Sequence, residues 1–150
     1  MAAYELEPNN SMSSATSISS GTSITGQLSS TSDRDYYVIN ASGAGSIEVD
    51  LDSSSSYSNR TVKILNSSGQ ELSSIDSYGD ESFGAGIAAA GQYYVVVEDD
   101  DRYSGFDSDS YELDVRLSSS RYELESNDSI SSATSISSGT SITGQLSSTS

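Results

Sequence analysis

Ser46-Ile47-Glu48-Val49-Asp50-Leu51-Asp52 alternates apolar and acidic residues without a break. Successive side chains of an extended chain point to opposite faces, so Ile47, Val49 and Leu51 share one face and the acids share the other. That pattern predicts a strand with one face on a core and one in water. Residues 110–117 repeat it, with Tyr111, Leu113, Val115 and Leu117 inward and Glu112, Asp114 and Arg116 outward. Residues 92–98 (QYYVVVE) are apolar on both faces and read as a central strand. Further strands are expected at 35–40 and 60–66, with weaker ones at 22–28, 70–76 and 81–87. Turn residues separate them at Ser42-Gly43-Ala44-Gly45, Asn66-Ser67-Ser68-Gly69 and Ala90-Gly91. One helical turn fits near 11–17, capped by Asn10 or Ser11. Eight or nine short strands without long helices predict an all-β fold, an antiparallel β-sandwich of jelly-roll-like character.

The composition narrows the functions open to such a fold. Leu, Ile, Val and Phe supply 28 of 150 residues, and the net charge is −16. That pairing normally marks disorder. Ten tyrosines and the ordered alternation argue for folding, provided that something neutralises the acid. Serine supplies 40 residues and lysine one, Lys63, so no basic patch exists to hold nucleic acid or an anionic membrane. The natural counter-ions are cations, and a divalent ion that binds only the folded form stabilises it. There is no cysteine and no histidine, which excludes disulfides and thiolate or imidazole metal sites. No apolar run reaches membrane-spanning length and no signal peptide is visible. Met1-Ala2-Ala3 reads as a cloning remnant ahead of an internal fragment.

The chain repeats itself. Residues 4–32 and 122–150 differ at three of 29 positions, where Pro8, Asn10 and Met12 are replaced by Ser126, Asp128 and Ile130. The expected organisation is a module at 4–117, a linker at 118–121 (Ser118-Ser119-Ser120-Arg121), and the truncated start of a following repeat at 122–150. That start carries too few apolar residues to fold alone. It is expected either to be disordered or to swap into the slot of residues 4–32, in its own chain or a neighbour's. Partners are therefore neighbouring repeats, with strand-swapped self-association as a further possibility.

Glu5, Glu7 and Asn9 stand at i, i+2 and i+4, on one face of an extended segment about 7 Å apart. Asn10 follows directly, and Asp33 and Asp35 form a second i, i+2 pair. Hard oxygen ligands suit calcium, which takes about 6–8 of them. Spacing alone is weak evidence, since an acidic strand face is usually just solvated. A second acidic cluster, Asp99, Asp100, Asp101, Asp107 and Asp109, lacks the glycine and glutamate positions of an EF-hand and reads as a solvated loop.

Several motifs then occur in order. They are Glu5-Leu6-Glu7-Pro8-Asn9-Asn10, Ala15, Ile24-Thr25-Gly26-Gln27-Leu28 and Asp33-Arg34-Asp35-Tyr36-Tyr37, then Gly91-Gln92-Tyr93-Tyr94-Val95-Val96-Val97 and Tyr111-Glu112-Leu113-Asp114-Val115. Across residues 4–117 this resembles the bacterial pre-peptidase C-terminal domain family, with the collagen-binding domains of clostridial collagenases as similar proteins. The resemblance implies a secreted bacterial β-sandwich, found beside proteases and in large exported proteins. It implies calcium held by Glu5, Glu7, Asn9, Asn10, Asp33 and Asp35. In the second copy Glu123, Glu125, Asn127 and Asp128 would complete such a site only by borrowing Asp33 and Asp35. It also raises exposed tyrosines as ligand contacts, with Tyr37, Tyr94 and Tyr103 as candidates for gripping polysaccharide or collagen.

No catalytic constellation emerges. Forty serines have no histidine to activate one, and Lys63 lacks a Ser-x-x-Lys context. The carboxylate pairs available for glycoside cleavage lie in the calcium-like segment. The reading is a non-enzymatic, calcium-stiffened spacer repeat of an exported adhesin. The alternative is a collagen- or carbohydrate-targeting domain of a secreted hydrolase.

Overall fold

The alternating segments pair as the sequence demands. The computed structural model describes residues 3–53, 59–100, 106 and 108–146. Its strands are β1 (Ala3–Tyr4), β2 (Thr16–Ser17), β3 (Thr22–Gly26), β4 (Arg34–Ala41) and β5 (Gly45–Ser53), then β6 (Asn59–Leu65), β7 (Glu71–Tyr78), β8 (Glu81–Ile87), β9 (Gly91–Asp99) and β10 (Tyr111–Ser118). They form two five-stranded sheets, ordered β1-β3-β10-β5-β8 and β2-β4-β9-β6-β7. The fold is the all-β sandwich expected. Among the described residues no helix is long and apolar enough to cross a membrane.

The core lies between the sheets. β5 and β10 pair antiparallel with Leu51 opposite Leu113 and Val49 opposite Val115, so both strands turn the same apolar set inward. There they meet Val62 and Ile64 of β6 and Val95 and Val97 of β9 in one buried cluster. β9 runs between β4 and β6, which fits its apolar character on both faces. Its second face carries Tyr94 and Val96, which with Leu65 form a smaller cluster under Met12, Ala15, Tyr36 and Val38. The 3-10 turn at Met12–Ser14 thus helps to roof the outside of the second sheet.

One cation is buried with this core. Arg60 is fully enclosed, its guanidinium 5.2 Å from the centre of the Tyr111 ring. It donates to Ser53 Oγ at 3.1 Å and to the Asp109 carbonyl at 2.5 Å. Arginine tolerates such burial because its flat, weakly hydrated head can stack on a ring and still bond in its plane.

The structure departs from a purely antiparallel sandwich at its start. β1 runs parallel to β3, and β2 runs parallel to β4. Each has two residues, too short to leave any periodicity in the sequence. Because β1 and β2 belong to different sheets, the chain between them crosses the end of the sandwich.

Within this chain the first copy fills that slot, and the second copy, residues 122–146, lies outside it. It makes a parallel bridge of its own between Tyr122 and Thr143 and a 3-10 turn at Ile130–Ser132. It rests on Gly84 and Gly86 of β8.

Leu113→Ala should test the sandwich core directly. Leu113 is fully buried, and its truncation is expected to lower unfolding free energy by about 2–5 kcal/mol in chemical denaturation.

Candidate metal centre

The crossing from β1 to β2 carries the acids. Glu5 leaves β1 with its N–H on the Thr25 carbonyl at 3.0 Å, and Asn9 offers its carbonyl to the Tyr36 N–H at 3.0 Å. These two bonds tie the segment to β3 of one sheet and β4 of the other. Between them Asn9 acts as the internal brace. Its N–H donates to Glu7 Oε2 at 3.0 Å, and its amide donates to Glu5 Oε2 at 3.2 Å and Thr16 Oγ1 at 3.4 Å. Thr16 Oγ1 in turn receives the Leu6 N–H at 3.1 Å. Glu5 Oε1 accepts the Gln27 N–H at 2.7 Å.

Asp35 reaches the same place from β4. One carboxylate oxygen each of Glu5, Glu7 and Asp35 lies within 4.8 Å of the other two. Asp35 is fully buried. Its Oδ2 accepts the Tyr111 hydroxyl at 2.5 Å, Tyr111 and Tyr37 share a hydroxyl contact at 2.7 Å, and Tyr37 donates to Glu5 Oε2 at 2.9 Å. Two core tyrosines therefore link the acid of the crossing to the acid of the sheet. Gly26 makes room for them, because a Cβ there would come within 2.4 Å of both hydroxyl oxygens.

Burial pushes the Asp35 carboxyl up to about 8; the Tyr111 hydrogen bond opposes this, while the Glu5 and Asp33 charges add to it. Burial, and then the charge of Glu5, raises the Tyr37 hydroxyl above its ordinary range. Burial raises Tyr111 as well.

Two oxygens here, Asn9 Oδ1 and Asp35 Oδ1, are buried without a hydrogen-bond partner. An acceptor left so is costly, by about 1–3 kcal/mol each. Three converging carboxylates and two orphaned oxygens form an all-oxygen donor set that fits a hard divalent cation of calcium type. Glu5, Glu7, Asn9 and Asp35 are the residues that would hold it, and it would supply charge neutralisation and crosslinking.

The other candidate residues have different surroundings. Asp33 is engaged in a turn, accepting the Ser29 N–H and hydroxyl, each at 2.7 Å, and the Arg34 N–H at 3.0 Å. Asn10 is exposed, and its Oδ1 accepts the Arg34 N–H at 3.2 Å. Tyr37 and Tyr94, expected as exposed ligand contacts, are both buried, one inside the core and one beneath the leading segment. Tyr103, Asp101 and Asp107 lie outside the described residues. Asp100 is buried with its N–H on the Asn59 carbonyl. Lys63 pairs with Glu98 at 2.5 Å.

The second copy rebuilds the brace on its own. Asn127 donates from its backbone to Glu125 Oε2 at 3.3 Å and from its amide to Glu123 Oε2 at 2.9 Å and Thr134 Oγ1 at 3.3 Å. Glu123 Oε1 accepts the Gln145 N–H. Asp128 is exposed. Residues 122–146 contain no counterpart of Asp35, Tyr37 or Tyr111. The tyrosine hydroxyls escape a reading by spacing, since their roles arise from contacts between sheets. The one trace in sequence is Gly26, which repeats as Gly144.

Among solved structures the fold is similar to the pre-peptidase C-terminal domain of a Bacillus anthracis collagenase, with 22% identity and a TM-score of 0.52 over 68% of this chain and 94% of that one. It is also similar to the Aeromonas hydrophila periplasmic inhibitor of g-type lysozyme, with 14% identity and a TM-score of 0.55 over 69% and 97%. The Yersinia pseudotuberculosis-derived mitogen follows at 13% identity and a TM-score of 0.51 over 69% and 91%. No family model matches the chain, and no curated protein does. The fold is thus similar to that of a pre-peptidase C-terminal domain.

The raised Asp35 pKa sets the sign of a pH effect. The folded chain holds a proton that the unfolded chain releases, so without metal this contribution is full below about pH 4 and is lost as pH rises to about 8. Denaturation in chelator should show that fall, and Asp35→Asn should flatten it.

Proposed function

We propose that the chain is a non-catalytic, calcium-binding β-sandwich repeat of a large secreted bacterial protein, acting as a calcium-stiffened spacer in an adhesin. The observation that carries this reading is the meeting of Glu5 and Glu7 with buried Asp35 beside two partnerless oxygens. Calcium there would bind the segment between the sheets to β4 and neutralise acids that otherwise repel. Because the site needs both pieces in place, metal binding free energy becomes folding free energy.

Near-identity of residues 4–32 and 122–150, joined by a short linker, supports an array of such modules. The resemblance to an exported family, and a fold shared with a collagenase accessory domain, support the extracellular setting. The alternative, a collagen- or carbohydrate-targeting domain, is less favoured because two of its three proposed contacts, Tyr37 and Tyr94, are buried. Glycan and collagen arrays separate the two, since a spacer gives no hit.

Thermal melting tests the metal. Calcium at about 100 times its Kd should add about 2.7 kcal/mol, roughly 8–15 °C for a module of this size. Glu7 is exposed, so Glu7→Ala should abolish the response without breaking the core. The calcium gain should grow with pH as Asp35 gives up its proton. Identical melting curves in calcium and in chelator would remove the proposal.

A further inference from the structure

β8 is the edge strand of the first sheet, and its alternation is unusual. Phe83, Ala85 and Ile87 face the core, so Gly84 and Gly86 lie on the outer face, where polar residues are expected. Both are nevertheless buried. What covers them is the second copy. A Cβ on Gly86 would meet the Glu123 carbonyl oxygen at 2.3 Å and the Tyr122 carbonyl oxygen at 2.8 Å. A Cβ on Gly84 would meet the Tyr122 ring, and the Ile47 carbonyl oxygen, at 2.9 Å. The Gln145 side chain accepts the Gly84 N–H at 3.4 Å, capping an edge donor. Glu123, Glu125 and Gln145 share a cleft with Leu72 and Ser73 of β7.

The first copy shows the same plug without its socket. Tyr4 is 69% exposed and Leu6 73% exposed, whereas Tyr122 is half-buried and Leu124 is 37% exposed. The two plugs have the same parallel bridge and the same Asn–Glu–Thr brace. Ser118 still pairs with Ser46, so only residues 119–121 tether the second plug to the sheet.

We propose that successive repeats dock head to tail through one surface: the outer face of β8 at Gly84 and Gly86 receives the Tyr-Glu-Leu segment of the next repeat. Tyr122–Leu124 is that segment in place, and residues 4–6 are the same surface, shaped for the β8 of a preceding copy. The contact is heterologous, so it propagates along an array rather than closing a ring. It fixes the orientation of neighbours where a serine linker alone would leave them loose. This inference rests on the repeat-array reading but not on calcium.

Nitrogen-15 relaxation of the whole chain tests it. Residues 122–146 should tumble with the sandwich, with order parameters near ~0.85, and fall below ~0.6 in Tyr122→Ala and in Gly86→Val. β9 amides should stay rigid in both. If Gly86→Val fails to fold, Tyr122→Ala, which lies outside the sandwich, decides alone. Independent motion of 122–146 in the parent chain, or unchanged order in Tyr122→Ala, overturns the docking. A short tether supplies an effective concentration of about mM, so a contact populated in one chain should also form between chains near 1 mM. In Tyr122→Ala/Leu124→Ala, which frees β8, the Tyr4 and Leu6 resonances should shift with concentration, and added Gly86→Val should stop this. Absence of that shift overturns the assignment of residues 4–6. Retention of the calcium melting response in these variants separates a failure here from a failure of the metal site.

Discussion

Like charges held together at the open end of a sandwich are the constraint on which this structure turns. Glu5 and Glu7 ride on the segment that passes from one sheet to the other, and Asp35 waits in the sheet wall, fully buried. Water cannot screen a buried carboxylate, and repulsion acts against the crossing that closes the fold. Two remedies are available, a proton or a cation. The raised Asp35 pKa is the first, and the all-oxygen donor set suits the second. The same crossing roofs Tyr94 and Val96 with Met12 and Ala15, so what neutralises the acids also secures part of the apolar packing.

Tyr37 and Tyr111 serve this junction. Tyr37 and Tyr111 come from facing sheets and meet hydroxyl to hydroxyl, with Glu5 at one end of the chain of bonds and Asp35 at the other. A buried phenol needs a partner, and a network in which each member satisfies the next is rigid as well as stable. Gly26 is part of that network by omission, since any side chain would occupy the space of the hydroxyl pair. Gly84 and Gly86 work similarly at the far edge, where missing side chains leave a seat for backbone.

Much of this was legible in the residues. Alternation in β5 and β10 gave both the strands and their inward faces, because a two-sided strand has only one way to bury an apolar set. The brace is legible too, for a physical reason that the two copies expose: Glu123, Glu125, Asn127 and Thr134 repeat the bonds of Glu5, Glu7, Asn9 and Thr16 without the rest of a module. Asp33 and Asp35 were indistinguishable by spacing. The fold separates them, since Asp33 closes a turn on Ser29 while Asp35, two residues on, points into the sandwich. Tyr94 faces away from the core between the sheets and is still buried, because Met12 and Ala15 lie over it.

By itself, then, the sequence determined the local matters: a β-sandwich, an oxygen-only chemistry, a leading segment that braces its own acids, and its near-exact repetition. These depend on neighbours a few residues apart, whose geometry the backbone period sets. The tertiary structure alone decided which aspartate joins the glutamates, which tyrosines are core, and where the second copy sits. Those answers depend on residues far apart in sequence, Glu5 with Asp35 and Tyr111, Tyr122 with Gly84, and no periodicity encodes a contact between separate strands.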